Sequence, residues 1–64
     1  MNLPKNLKQL RKARGLSQQG VAMRIEGLTR SKLSFYEQGI AEPPLCMCYK
    51  ISVFYRVTLD ELIK

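Results

Sequence analysis

Histidine and tryptophan are absent from the 64 residues, and acidic side chains are scarce, five Asp and Glu against eleven Lys and Arg. Without an imidazole, and with the few acids scattered into caps and loops, the chain has no constellation for general acid–base or nucleophilic chemistry, so it is expected not to be an enzyme. Its two cysteines, Cys46 and Cys48, stand two apart. A structural zinc site takes a C-x2-4-C pair together with a second pair of ligands, which this chain lacks, so neither metal nor cofactor is expected. A bridge between residues two apart is geometrically awkward. Both thiols are therefore expected reduced, Cys48 in the core and Cys46 nearer the surface. No apolar run approaches the ~20 residues of a spanning helix or the apolar stretch of a signal peptide. A cytoplasmic location with no membrane partner is expected.

What remains is small, basic and helical in pattern. Sixty-four residues make one domain, spanning 1–64. A domain of this size buries about 60% of its unfolded surface and leaves little room for a cleft with supporting side chains. The net charge of +6 and pI of about 9.8 favour polyanions, either nucleic acid or an anionic membrane surface. Composition does not choose between these two.

Gly15, Gly27, Gly39 and the Pro43-Pro44 pair cut the chain into short segments whose apolar residues recur every three to four positions. The first runs from about Pro4 to Arg14, with Leu3, Leu7 and Leu10 inward and Lys5, Lys8 and Lys12 outward. The second opens on Ser17 as N-cap and turns Val21, Ala22 and Ile25 to one face. The third follows Thr29 as N-cap, with Leu33 and Tyr36 sharing an inner face. A fourth begins at the prolines and uses Leu45, Cys48, Ile51, Ser52 and Tyr55 as its inner stripe. A brief fifth follows Thr58 as N-cap. The pattern predicts five short helices and no strand.

Segments two and three form the informative pair, a unit of about residues 17–38. They are joined by a turn around Glu26-Gly27-Leu28, where Gly27 can supply positive φ. Ala22 lets the helices approach closely, and Leu33 and Tyr36 lock the third segment onto the second. This is the layout of a helix-turn-helix, whose second helix enters the major groove with its N-terminal residues at base edges. Arg30 offers a bidentate fork to guanine, while Ser31 and Ser34 donate or accept.

The run LKQLRKARGLSQQGVAMRI…GLTRSKLSFYEQG, followed by PPL…YKIS…VTLDELI, resembles the Cro/C1-type (XRE) helix-turn-helix family over roughly Leu7 to Ile63. The resemblance implies a compact, all-α, five-helix lambda-repressor-like domain that binds operator DNA, usually as a two-fold dimer. It implies that Gln18 grips a DNA phosphate, with Ser17 capping before it and able to reach a phosphate itself. Arg30, Ser31 and Phe35 match base-reading positions. Lys32 looks like a phosphate contact, and Gln38 matches a position that approaches the backbone. Arg11 and Glu37 match a structural ion pair.

Three departures from the family pattern stand out. The interhelical turn is one residue longer, with Glu26 as the insertion. Gly20 replaces a capping-box glutamate. Phe35 stands where a polar residue is more common; it presses on a thymine methyl, serves a protein contact, or is a partly buried core residue.

One such domain covers about 600–1,000 Å² on DNA, too little for strong discrimination, which argues for a homodimer. Tyr55, Val57, Leu59 and Ile63 are the expected dimer contacts, although Leu59 and Leu62 could instead only close the monomer core. Double-stranded operator DNA is the expected partner, and sequence-specific transcriptional regulation, by repression, the expected function. The competing reading keeps the fold but binds a protein, as the antitoxin of a toxin pair does. A salt titration separates the two, because contacts to phosphate release counterions and apolar contacts do not.

Overall fold

A computed structural model describes residues 2–64, which form five α-helices with no strand among them. These are α1 (Leu3–Ala13), α2 (Gln18–Arg24), α3 (Arg30–Gln38), α4 (Leu45–Tyr55) and α5 (Leu59–Ile63). Helix α1 packs against α3 and α5, α2 against α3, and α4 against α5.

Local chemistry starts the helices where hydroxyl residues fall. Ser17 Oγ accepts from the Gly20 N–H at 2.9 Å, and Thr29 Oγ1 accepts from the Lys32 N–H at 3.1 Å. Thr58 and Glu61 close a reciprocal capping box at 3.0 and 2.9 Å. Each cap satisfies backbone donors that a helix start otherwise leaves open. Helix α5, only five residues long, is also held at its far end. Asn6 Nδ2 donates to the Leu62 carbonyl at 2.9 Å and Asn2 Nδ2 to the Lys64 carbonyl at 2.8 Å, tying the two chain ends together.

Leu7, Val21, Leu33, Ile51, Tyr55 and Leu62 are the most deeply buried large side chains, at the centre of a core fed by all five helices. Leu3 and Leu7 of the expected α1 stripe are buried and Leu10 is half-buried. The fourth stripe needs correction, because Leu45 lies outside the core while Met47 is buried with Cys48, Ile51, Ser52 and Tyr55. Helix α4 is apolar on both faces, so alternation gives no contrast from which to tell inside from outside. Cys48 is buried and Cys46 exposed, and neither is bridged.

Candidate DNA-binding surface

The turn between α2 and α3 is built by three residues. Gly27 takes φ 85°, a left-handed conformation that a side chain would strain. Leu28 is buried beneath the turn, and its N–H bonds the Ile25 carbonyl at 3.2 Å. Glu26, the expected insertion, is exposed, and its carbonyl accepts from Lys50 Nζ of α4 at 3.2 Å. The turn is thus tied down from below by Leu28 and from the side by Lys50.

Helix α3 leaves the turn with Leu33 and Tyr36 buried and its opening residues outside. Arg30, Ser31 and Lys32 are exposed. The first turn holds no acidic residue, so the positive end of the helix dipole is not neutralised by a side chain there. Lys32 Nζ leans back over the turn, 3.5 Å from the Gly27 carbonyl. Farther along, Gln38 Nε2 donates to Ser34 Oγ at 2.7 Å, so these two residues form one polar pair along the helix. Phe35 is 47% exposed, which excludes a core role. The helix closes in a Schellman motif: Gly39 takes φ 76°, its N–H bonds the Tyr36 carbonyl, and the Ile40 N–H bonds the Phe35 carbonyl.

The one acid of α3 is withdrawn from this surface. Glu37 is 3% exposed and faces Arg11, 12% exposed, with Nε to Oε2 at 2.8 Å and Nη2 to Oε1 at 3.1 Å. The expected structural pair is therefore present and forked. The hydrogen bond to Glu37 raises the Arg11 pKa above its ordinary value, against the opposing effect of burial. Arg11 Nη1 also donates to the Leu16 carbonyl at 2.9 Å, so one guanidinium joins α1, the loop before α2, and α3. With Glu37 paired inside, the exposed charge of α3 is that of Arg30 and Lys32.

Gln18 belongs to the same network, a link that residue spacing did not reveal. Its Nε2 donates to Glu37 Oε1 at 3.2 Å, with the side chain half-buried. A carboxylate only accepts, so it fixes which way the amide faces; one N–H is spent on Glu37 and the second is left. Ser17 is exposed, with its oxygen engaged by the Gly20 cap. The structure therefore brings Arg11, Gln18 and Glu37 together, while Arg30, Ser31, Lys32, Ser34, Phe35 and Gln38 lie along the open side of α3.

The expected dimer contacts fare differently. Tyr55 is 2% exposed and packs inside the monomer, its ring edge-on to Phe54 at 5.0 Å and beneath the Arg14 guanidinium at 5.6 Å. Its place in the inner stripe of α4 holds, and its expected role as a dimer contact is corrected, because the side chain is used up in the core. Val57, Leu59 and Ile63 are partly buried against the same core, so much of their apolar surface is already covered. Among the described residues no helix is long and apolar enough to cross a membrane, and no group of three or more acidic or Cys side chains is placed to hold a metal.

A family model described as helix-turn-helix matches residues 7–62. A curated relative, the uncharacterized HTH-type transcriptional regulator YqaE of Bacillus subtilis (strain 168), is 41% identical over 59 residues. The match covers 92% of this chain and 50% of the relative, so the chain spans about half the length of that protein. No solved structure matches the chain significantly.

Proposed function

The chain belongs to the Cro/C1-type (XRE) helix-turn-helix family, and from that premise we propose that it is a sequence-specific DNA-binding transcriptional regulator. In this reading α3 enters the major groove of an operator and the bound protein acts as a repressor, as one half of a two-fold dimer. The observation that carries it is the exposed opening turn of α3. Arg30, Ser31 and Lys32 stand outside the core there, on a helix whose only carboxylate is turned inward and paired.

Arg30 is the base reader, its guanidinium forming two parallel bonds with guanine. Ser31 and the Ser34–Gln38 pair meet base edges or sugar-phosphate, and Phe35 presses its half-exposed ring on a thymine methyl. Lys32 leaves its long contact with the Gly27 carbonyl for a phosphate, a stronger charge-assisted partner. Gln18, its amide oriented by Glu37, gives its remaining N–H to a phosphate, and Ser17 lies beside it. Base contacts supply the sequence preference, and phosphate contacts fix the register.

Binding measured against salt concentration tests this directly. Each phosphate neutralised by a Lys or Arg contributes a log–log slope of about −0.9, so Lys32 alone implies roughly 3.5-fold weaker binding over a fourfold rise in salt, and every further basic contact multiplies this by about the same factor. A protein-interaction role for the same fold, as in an antitoxin, rests on apolar contacts. Its affinity would scarcely respond.

A further inference from the structure

Helix α2 packs mainly on α3, and α4 on α5. Between the end of α2 and one face of α4 this leaves an open groove of about 430 Å³. Its apolar lining is Ile25, buried at the base, the partly buried Phe54, and Tyr49 and Val53, 60% and 56% exposed. Three charged residues share the lining: Arg24, Glu26 and Lys50. No residue assigned above to DNA lies in it.

The two cations have no counter-charge. Among the described residues neither makes an ion pair, and each rests on a carbonyl instead. Arg24 Nη1 donates to the Gly20 carbonyl at 2.9 Å, and Lys50 Nζ to the Glu26 carbonyl at 3.2 Å. Both groups have donors left over, since a guanidinium carries five N–H bonds and an ammonium three. Most of the chain's own acids are spent elsewhere: Glu37 on Arg11, Asp60 on Lys64, and Glu61 in the α5 cap.

We infer that this groove binds a short acidic segment of a partner protein, which seats an apolar side chain against Tyr49, Val53 and Phe54 and sets carboxylates on Arg24 and Lys50. This is a second binding function, and it does not rest on the DNA-binding reading.

Charge selects the occupant. A purely apolar partner would desolvate two cations without pairing them, which is costly. A second copy would bring the same two cations against them. Duplex DNA supplies phosphates but leaves the apolar lining uncovered. The groove is open to solvent, so it does not enclose a small molecule as a ligand pocket does. An acidic segment with an apolar anchor satisfies both parts of the lining. Its carboxylates are stronger, charge-assisted partners than the carbonyls that hold Arg24 and Lys50 now. Glu26 sets a limit on the pattern, because it repels any carboxylate placed beside it. The segment therefore carries its acids toward the two cations and a neutral or basic residue next to Glu26. One groove of this size covers well under the ~800 Å² per partner of a standard stable complex, so the contact is transient.

The test uses the full chain without DNA. Random peptides of about twelve residues, displayed on phage, are selected against it, and an enriched peptide is synthesised and titrated. The expected peptides combine Asp or Glu with an aliphatic or aromatic residue, and on titration the wild-type amide shifts move at residues 24–26 and 49–54. Arg24→Gln and Lys50→Gln each weaken binding about two- to fivefold, the range of an exposed ion pair. Val53→Ser weakens it as well. Lys8→Gln, which removes an equal charge from the exposed side of α1, leaves it unchanged.

Enriched peptides that are acidic but lack an apolar residue, with shifts scattered over the basic surface, would show attraction to net charge alone and overturn the inference. Neutral or basic peptides, an unenriched pool, shifts centred on α3, or equal weakening by Lys8→Gln also overturn it. If a variant loses helix content by far-UV circular dichroism, the wild-type shifts still decide. Because no duplex takes part, failure here leaves the DNA-binding reading standing.

Discussion

Helices α1 to α3 and helix α4 are held by different forces. The first group is laced by polar bonds: Arg11 links the Leu16 carbonyl to Glu37, Glu37 links to Gln18, and hydroxyl caps start both α2 and α3. Helix α4 has no side-chain cap, one charge, and apolar residues on both its buried and exposed faces. Charge and directional bonds lie where a polyanion is read and where a helix must be aimed. Apolar surface lies where another protein surface can cover it. The contrast shows that one small fold apportions polarity between its helices.

The comparison breaks first at its polar centre. Glu37→Ala leaves a largely buried guanidinium unpaired and is expected to cost about 3–5 kcal/mol in urea-denaturation stability. Asp60→Ala, which removes a fully solvated pair with Lys64 at 3.6 Å, should change stability by less than about 0.5 kcal/mol. Similar values for the two variants would show that burial does not distinguish them. Arg30→Ala is next: a loss of about 1–3 kcal/mol in operator affinity, relaxed preference at one base pair, and an unchanged melting transition. Equal affinity for wild type and variant would remove Arg30 from the reading set.

Tyr55 sharpens the contrast from the apolar side. Its hydroxyl is buried without a partner, and burial, opposed by Arg11 and Arg14, pushes its pKa up from 10 to about 12. The folded state holds the proton more tightly than the unfolded chain does. This contribution is therefore full below pH 10 and is lost as pH rises from 10 toward 12. Tyr55→Phe should be neutral or stabilising by up to about 1 kcal/mol at pH 7, because it deletes an unsatisfied hydroxyl. It should also flatten the alkaline loss seen when urea midpoints at pH 7 and pH 11 are compared. Destabilisation at pH 7 by more than about 1 kcal/mol would mean that the hydroxyl is bonded after all.

The smallest effect is at Gly20. Alanine improves helix propensity by about 0.8–1.0 kcal/mol, but its methyl would stand 3.2 Å from the capping Ser17 Oγ and 3.3 Å from Arg24 Nη1. Arg24 is flexible and exposed and can move, whereas the cap must yield slightly. A net gain of a few tenths of a kcal/mol is expected in thermal melts, and a clear loss would show that the cap does not yield.

What could be read from residues alone was local. Ser17, Thr29 and Thr58 announced their helices because a cap bonds within three residues, and the α1 and α3 faces followed from apolar spacing. Met47 and Leu45 were exchanged because α4 offers no polar face to orient it. The Gln18–Glu37 bond joins residues 19 apart, and no local pattern encodes it. The Arg11–Glu37 pair was foreseen through the family resemblance, since residues 26 apart carry no spacing signal of their own. Tyr55 shows both sides of this: its spacing placed it in the inner stripe of α4, where it is buried, while the expected dimer contact gave it a surface role that its burial does not allow.

The central claim is that the opening turn of α3 reads base edges in duplex DNA. Selection of bound duplexes from a random pool tests it most directly. The account predicts enrichment of one motif made of two inverted half-sites about one helical turn apart, with a conserved guanine that Arg30→Ala no longer selects. A pool that emerges unenriched, with no duplex retained even at low ionic strength, would contradict it.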